Sequence, residues 1–406
     1  MSKVMPFAAL RPPRNLAAAV AAPPYDVVNT QEARALAAGN AQSFFHVSRP
    51  EIGFPDGTDE HGDPVYQAAA VNLARFRSDG TLIQDTTPRF YAYRQRMGTH
   101  VQTGLVACAS VAEYDAGTIK KHELTRADKE DDRTRHIDVL GGNDEPVFLT
   151  YRARADLDAL LDAATRATPE YDFTTSDGIQ HVLWVLDPQL NARIQEAFAS
   201  IPALYIADGH HRSAAASRVS RLRQKRGLPA GEQDFFLSVI FPHNQMQILD
   251  YNRVVKDLHG HTHAAFLAAL EKHFTVTPTT DKKPTRLHDL GMLLGGVWYR
   301  LTAREGSYPN TPLGSLDVNI LQSNVLGPLL GIGDPRTDKR ISFVGGIRGM
   351  GELETLVQSG QYAVAFAMFP TTLDQLLAIA DAGDIMPPKS TWFEPKLRSG
   401  LFLHQF

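Results

Sequence analysis

The stretch that decides the fold is Leu204–Arg226, LYIADGHHRSAAASRVSRLRQKR. It opens with an apolar run, Leu204–Ala207, that ends at Asp208 and Gly209, which predicts a buried strand followed by a tight turn. A helix is predicted from about His210 onward, because apolar residues recur there at the spacing of one helix face. These apolar residues are Ala215, Val219 and Leu222.

A strand–turn–helix corner of this kind is suited to binding an anion. The first backbone N–H groups of a helix lack partners within the helix, and the helix dipole adds positive potential there. Arginine offers a rigid donor fork suited to phosphate, and histidine and aspartate can move protons near neutral pH. The candidate residues at the corner are Asp208, Gly209, His210, His211 and Arg212. The alternative is a solvated turn with Asp208 as helix N-cap.

The composition is that of a globular protein. The chain has 406 residues and a formal net charge of −4, which argues against a protein that coats nucleic acid. Its single cysteine, Cys108, excludes an internal disulfide, and its apolar neighbours predict a buried thiol. Prolines and arginines interrupt the N-terminus and no apolar run reaches membrane-spanning length. We therefore expect a cytoplasmic protein without membrane contact.

The order of predicted elements indicates an α+β fold with mixed, mainly antiparallel sheets and packed helices. Hairpins are predicted around residues 97–99, 176–178 and 242–245, and SFFHVSRP at residues 43–50 is predicted to be a strand. The polar PTTDKKP at residues 278–284 suggests a boundary between a catalytic or ligand-binding lobe, 1–277, and a lobe that closes the site, 285–406.

A second informative segment is Thr118–Arg135, TIKKHELTRADKEDDRTR, in which cations stand beside groups that can accept protons. The alternative is a solvated helix face. In an extended chain Lys121 and Glu123 would point to one side and His122 to the other. We predict no metal ligands, because a zinc site would draw on histidines that are distant in sequence, and the adjacent His210 and His211 do not readily face one ion. A P-loop and a nucleophile elbow are absent from the sequence.

Two proline-containing stretches add further candidates. MPPKSTWFEPK at residues 386–396 offers hydroxyl and ammonium donors, among them Lys389 and Ser390, although the stretch could equally be a surface connector. In PPYDVV, Asp26 precedes a helix that is capped at Asn29 or Thr30, and it is either a ligand or a turn residue.

Several motifs occur in order along the chain: PPYDVV, KKHELT with PVFLTY, YIADGHHR, YNRVVKDL, FVGG and MPPKSTWFEPK. Together they resemble a bacterial and archaeal family of unknown function, some members of which carry a SpoOJ/ParB-like label. The DGHHR element is similar to the phosphate-contacting motif of the ParB/sulfiredoxin-like fold, which includes free serine kinases. ParB-type elements usually end in two arginines, whereas this chain has His211 and Arg212, and it shows no helix-turn-helix module.

The resemblance implies phosphate contact at Gly209, His210, His211 and Arg212, with Asp208 at the site. It adds six candidates without assigned roles: Lys121, His122, Glu123, Arg133, Lys389 and Ser390. The implied ligand is a small phosphate-bearing molecule such as ATP, ADP or pyrophosphate, accompanied by Mg²⁺.

Residue types and resemblance together predict phosphoryl transfer to a small hydroxylated metabolite, and free L-serine is the first acceptor to test. In this hypothesis the helix start and Arg212 hold the donor phosphates, Lys121 neutralises charge and His210 orients the phosphate. Glu123 or Asp208 accepts the hydroxyl proton. The alternatives are a nucleotide- or phospholigand-binding regulatory protein without turnover and a ParB-like DNA-associated protein. The oligomeric state stays open.

Overall fold

The computed structural model describes residues 2–406. The chain forms two compact units, one that runs to Met246 and includes Pro395–Phe406, and one that comprises Gln247–Glu394. These bounds differ from the predicted division at residues 278–284, because that polar segment follows a strand inside the second unit. Composition alone does not distinguish a polar loop within a unit from a linker between units, so the sequence could not place this boundary.

The first unit is built on a nine-stranded sheet. Seven of its strands are paired mainly antiparallel with their neighbours, in the order Leu204–Asp208, Val147–Tyr151, Phe235–Pro242, His100–Ser110, Tyr91–Met97, Gln180–Val185 and Tyr171–Thr174. The short strand Ile119–Lys120 pairs parallel with Leu204–Asp208, and Val4–Met5 pairs with His100–Ser110. Two small ribbons join Leu10–Arg11 to Ile83–Gln84 and Gly142–Asn143 to His404–Gln405.

The first unit also contains helices, some of which pack against one another in a separate apolar cluster rather than on the sheet. The helices are Ala17–Val20, Thr30–Ala37, Phe45–Ser48, Asp63–Ser78, Val111–Asp115, Ala127–Leu140, Ala155–Ala164, Asn191–Ala199 and His210–Lys225. Short 3₁₀ turns cover Arg14–Leu16, Pro50–Gly53, Pro188–Leu190, Glu232–Asp234 and His243–Gln245. The main core lies between helices and sheet, where Leu149, Leu204 and Ile206 are fully buried. Burial of this kind contributes roughly 1.5–3 kcal/mol per large apolar side chain.

The second unit contains a six-stranded antiparallel sheet. Its strands, in spatial order, are Phe274–Pro278, Val297–Ala303, Asp289–Leu294, Val364–Ala367, Tyr251–Val255 and Ile341–Gly345. Gln247–Leu249 pairs with Trp392–Glu394 in a separate ribbon. The helical segments are His263–Leu270, Asp317–Leu321, the π-helical Gln322–Leu326, Gly346–Arg348, Gly349–Gln358 and Leu373–Ala382.

The predicted fold class is confirmed, since helices and mainly antiparallel strands are mixed throughout. The hairpins at residues 97–99 and 176–178 are also confirmed, as is the buried thiol of Cys108. Among residues 2–406, no helix is long and apolar enough to cross a membrane.

Two local predictions were wrong. The segment 43–50 contains the helix Phe45–Ser48, in which Phe44, Phe45 and Val47 are all buried. Such a run of apolar residues does not by itself distinguish a strand from a short buried helix. The third hairpin does not form either, because Gln247–Leu249 pairs with Trp392–Glu394 rather than with Phe235–Pro242.

A buried hydrogen-bonded triad in the first unit makes its stability depend on pH. The Oη of Tyr93 lies 2.7 Å from Nδ1 of His181, and Nε of Arg398 donates to Nε2 of His181 over 3.2 Å. Burial and then the charge of Arg398 lower the pKa of His181 from 6.5 to about 3. His181 is therefore neutral in the folded chain near neutral pH.

We expect acid to destabilise the first unit through His181. Because the folded-state pKa lies below the unfolded-state value, this contribution is complete above about pH 6.5 and is lost as the pH falls toward about 3. The expected loss between pH 7 and pH 5 is about 2 kcal/mol. Urea denaturation at the two pH values should show a smaller loss for His181→Gln than for the parent chain. The control is His100→Gln, on the same sheet, and equal losses in parent and His181→Gln would contradict the assignment.

Candidate functional site

Two segments that are far apart in sequence meet at one edge of the first sheet. The strand Leu204–Asp208 runs parallel to Ile119–Lys120, with Tyr205 opposite Lys120. Parallel neighbours end at the same edge of a sheet. This pairing therefore brings the residues that follow Lys120 close to the Asp208–Gly209 turn.

The turn leads directly into the helix His210–Lys225, which has 16 residues. Gly209 is its N-cap and has φ of 96°, in the left-handed region that favours glycine. Within residues 2–406, no side chain caps this helix start, so Asp208 is not an N-cap and that interpretation of the turn was wrong. The first backbone N–H groups of the helix remain directed at whatever occupies the corner.

Asp208 is held between two cations. An Nη of Arg212 donates to its Oδ2 over 3.0 Å, and the Nζ of Lys396 lies 3.6 Å from the same oxygen. Burial alone would raise the pKa of Asp208, but Lys396 and Arg212 hold it below its usual range. The other Nη of Arg212 donates to the carbonyl of Pro146. Arg212 is thus buried and points inward, and its Nε has no hydrogen-bond partner in the described chain.

Two buried histidines stand edge to face at the corner. The ring centroids of His122 and His210 are 4.5 Å apart at an interplanar angle of 90°. Burial lowers the pKa of His122 to about 4 and lowers that of His210 well below its usual range, with a further contribution from His122. Both imidazoles are therefore neutral near pH 7.

Glu123 completes this group. Its Oε2 lies 3.9 Å from Nδ1 of His210, and its side chain is 45 % exposed. The regular strand ends at Lys120 and the chain bends at Glu123. His122 and Glu123 therefore both lie within reach of His210, rather than on opposite sides as an extended segment would place them.

Lys121 and His211 line the same edge. The Nζ of Lys121 lies 3.8 Å from the centroid of the Tyr114 ring, and burial lowers its pKa. The Nε2 of His211 accepts the backbone N–H of Arg126, which precedes the helix Ala127–Leu140. Burial also lowers the pKa of His211.

Arg133 lies inside the protein rather than on a solvated helix face. It pairs with Asp132 at 2.9 Å, and its guanidinium stacks 4.0 Å from the centroid of the Tyr25 ring. Nearby, Oε1 of Glu145 accepts the backbone N–H of Tyr25 and the hydroxyl of Ser399. Burial and then Asp144 raise the pKa of Glu145 to about 8.

Asp26 is exposed next to Tyr25. The negative charge of Asp26 acts on both Arg212 and His211, which places it beside the corner.

Lys389 and Ser390 belong to the second unit. Lys389 has φ of 58°, and its carbonyl accepts an Nη of Arg253. The hydroxyl of Ser390 donates to the carbonyl of Pro387 over 2.6 Å. Their assignment to the phosphate site stays a prediction.

The structure brings to this region three residues that the sequence analysis did not assign to the site, although Lys396 is one of the ammonium donors of the 386–396 stretch. Lys396 pairs with Asp208. Tyr25 stacks on the guanidinium of Arg133, and Glu145 accepts the hydroxyl of Ser399. Lys396 and Tyr25 lie in quoted motifs, and Glu145 directly precedes another, PVFLTY. The available signal was therefore their position in or beside motifs that already contained site candidates.

Comparison with known proteins identifies a family match over most of the chain. The model of the family described as "Protein of unknown function (DUF1015)" matches residues 4–319. No curated protein matches this chain. The comparisons give no support to the SpoOJ/ParB-like label.

Three solved structures illustrate the structural similarities. A free serine kinase in complex with AMP is 13 % identical, with 73 % of this chain and 92 % of that chain covered and a TM-score of 0.36. SbnI with a C-terminal truncation, from Staphylococcus aureus, is 12 % identical over 74 % and 87 %, with a TM-score of 0.38. A conserved hypothetical protein from Pyrococcus furiosus is 13 % identical over 73 % and 95 %, with a TM-score of 0.34.

We expect Gly209→Ala to disturb the corner beyond the cost of backbone strain. A Cβ at this position would lie 3.0 Å from Nε of Arg212. The matched control is Gly98→Ala, which also has positive φ, 60°, but where no described atom lies within 4 Å of the added Cβ. The control should lose about 1–2 kcal/mol from the left-handed conformation alone. Urea denaturation should show a larger loss for Gly209→Ala, and equal losses would contradict the close packing of Arg212.

Proposed function

We propose that this chain, which belongs to the DUF1015 family of proteins of unknown function, is a phosphoryl-transfer enzyme that acts on a small hydroxylated metabolite. The observation that carries the proposal is the corner itself, where an uncapped helix N-terminus, several cations and a half-exposed carboxylate meet. Phosphoryl transfer needs mainly positioning and charge neutralisation, with a base for the attacking hydroxyl. Free L-serine is the first acceptor to test, because the DGHHR element resembles that of free serine kinases.

The donor phosphates are proposed to bind at the helix start. Its free N–H groups and dipole favour an anion, and Gly209 lets the backbone approach closely. Lys121 supplies a charge that partial burial makes costly without an anionic partner. Arg212 adds positive potential behind the turn and acts as a positioning residue, since its guanidinium already binds Asp208 and Pro146.

Glu123 is the better candidate for the base. In the proposed step, the acceptor hydroxyl oxygen attacks the terminal phosphorus and the bond to the leaving phosphate oxygen breaks. The hydroxyl proton passes to the carboxylate of Glu123. Asp208 is less suited to this task, because Arg212 and Lys396 stabilise its ionised form and hold its pKa below the usual range. Glu123 is half-exposed and thus open to an acceptor.

The remaining candidates receive supporting roles in the proposal. His210, which is neutral, orients a phosphate oxygen by hydrogen bonding rather than by charge. Arg133 extends the positive side of the corner, and Asp26 limits its net charge. His211, whose pKa burial lowers, contacts phosphate through a hydrogen bond rather than through charge. Lys389 and Ser390 remain proposed phosphate contacts.

A Mg²⁺ ion that accompanies the donor would neutralise charge on its phosphate oxygens. The carboxylates available to it at the corner are those of Glu123 and Asp208. Because Asp208 is already ion-paired, the phosphates of the donor would supply most of the oxygen ligands that Mg²⁺ prefers.

We expect a phosphate ligand to stabilise the folded chain, and Lys121 to contribute to that effect. A ligand that binds only the folded state raises the thermal midpoint. The screen uses ATP, ADP, CTP, pyrophosphate and phosphoserine, each with and without Mg²⁺. Lys121→Gln should reduce the shift in thermal midpoint. Lys225→Gln should not, because Lys225 is exposed at the C-terminal end of the helix His210–Lys225, far from the proposed site at its start. Absence of any shift, or equal shifts in both variants, would contradict the assignment of the donor site.

We expect Glu123→Gln to separate binding from transfer. The amide keeps the size of the side chain but cannot accept the proton, so transfer to L-serine should fall by about 10²–10⁴-fold. The donor-induced thermal shift should persist. Phosphorus NMR measures the product, and Glu196→Gln, an exposed glutamate on the helix Asn191–Ala199, is the matched control. Undiminished transfer in Glu123→Gln would exclude it as the base.

A binding function without turnover predicts a different result in the same assay. The ligand would stabilise the parent chain, but no phosphate would reach L-serine or another hydroxylated acceptor. That outcome would identify a nucleotide- or phospholigand-binding regulatory protein.

A further inference from the structure

We propose that His122, Glu123 and His210 bind a divalent transition-metal ion such as Zn²⁺. Each of the three residues offers one ligand atom, and these atoms all lie within 4.8 Å of one another. Two imidazoles and one carboxylate form a donor set found in catalytic zinc sites. His122 and His210 are 88 positions apart in sequence, and the parallel pairing of their strands brings them together.

The unpaired nitrogens of the two histidines are the second observation. His122 is 2 % and His210 5 % exposed. Neither ring nitrogen of His122, nor Nε2 of His210, has a hydrogen-bond partner among residues 2–406. The carbonyl of Ile206 favours protonation of His122 without reaching normal hydrogen-bond geometry. Buried polar groups are usually paired, and an ion would give one nitrogen of His122 a partner. On His210 the nitrogen that an ion shared with Glu123 would bind is Nδ1, so its Nε2 would stay unpaired.

The charge of Glu123 suits a cation. Glu123 supplies a negative charge that offsets part of the charge of the ion.

The spacing of one ligand pair is close to that in a zinc site, and all three ligand atoms lie within 4.8 Å of one another. Ligands about 2.0–2.2 Å from a tetrahedral zinc ion lie roughly 3.3–3.5 Å apart. The measured distance from Nδ1 of His210 to Oε2 of Glu123 is 3.9 Å. Glu123 is half-exposed on a bend that follows the strand, so its side chain can close this difference.

The donor set also discriminates between metals. Imidazole suits zinc and other transition ions, whereas Mg²⁺ prefers oxygen ligands. Three protein ligands leave at least one coordination position for water or a substrate oxygen, and the exposed side of Glu123 provides access. The site is therefore distinct in kind from a Mg²⁺ ion carried by donor phosphates.

This inference goes beyond the proposed function and does not rest on it. A carboxylate that binds metal through one oxygen keeps a second oxygen, so metal binding and proton acceptance by Glu123 are compatible. The metal experiment contains no nucleotide, and the nucleotide screen can be run on chain that has been treated with EDTA to remove bound metal and then freed of EDTA. Failure of one proposal is thus distinguishable from failure of the other.

The test is calorimetric titration of the untagged full chain with Zn²⁺ after removal of bound metal with EDTA. We expect one ion per chain and no displacement by excess Mg²⁺. Glu123→Gln should weaken binding by at least about tenfold, because it removes a direct ligand where even the loss of outer-shell partners costs 10–100-fold. Glu196→Gln, which removes the same charge from an exposed helix, should bind as the parent does.

Glu123→Gln is the decisive variant, because the side chain of Glu123 is half-exposed and the substitution is expected to leave the fold intact. Circular dichroism checks that the variant is folded. His210→Gln adds a second readout, since the visible absorption of bound Co²⁺ should appear in the parent and disappear in this variant. Absence of saturable Zn²⁺ binding would overturn the proposal. Equal affinity in the parent, Glu123→Gln and Glu196→Gln would also overturn it, because the ion would then bind elsewhere.

Discussion

The first unit depends on the carboxylate of Asp208 and the two cations that hold it. Arg212 comes from the helix that follows the turn, and Lys396 from the C-terminal segment that returns to the first unit. Removing one partner of this partly buried group would leave a charge without compensation. Strand, helix and C-terminal segment are therefore fixed together at one point. Because Arg212 is turned inward by this pairing, the helix start presents mainly its backbone to a ligand.

The local part of this arrangement could be predicted from the sequence. The apolar run before Asp208, the glycine and the helical spacing that follows specify strand, turn and helix without long-range information. The same reasoning fails where the local signal is ambiguous, as at Phe44 and Phe45, which lie in a buried helical segment. It also fails where pairing is non-local. Gln247–Leu249 follows a plausible turn, yet its partner lies about 145 residues later in sequence, at Trp392–Glu394.

The candidate site likewise combines features that are encoded locally in the sequence with features that depend on non-local pairing. The sequence analysis placed His122, Glu123 and His210 among the candidates, but it predicted no metal ligands, partly because His210 and His211 are adjacent. The expectation that the adjacent His210 and His211 do not bind one ion agrees with the structure, since Nε2 of His211 accepts the backbone N–H of Arg126. The second imidazole comes from His122, through the parallel pairing of Ile119–Lys120 with Leu204–Asp208. Strand pairing between residues that are 85 positions apart, such as Ile119 and Leu204, leaves no trace in the spacing of residues or in the composition. Arg133 is a similar case, because a highly charged helix gave no sign that one of its faces is buried.

Charge and lone pairs are separated at this corner, and that separation would let one small region bind both of the proposed ligands, a phosphate group and a metal ion. Protonated histidines would add to the positive potential that attracts phosphate, but burial keeps His122 and His210 neutral. The attraction for an anion must then come from the N–H groups at the helix start and from Lys121, rather than from positive charge on the two imidazoles. The ring lone pairs, freed from any role as charges, remain available to a cation beside Glu123. The neutrality that weakens the histidines as phosphate ligands is thus the property that suits them to a metal.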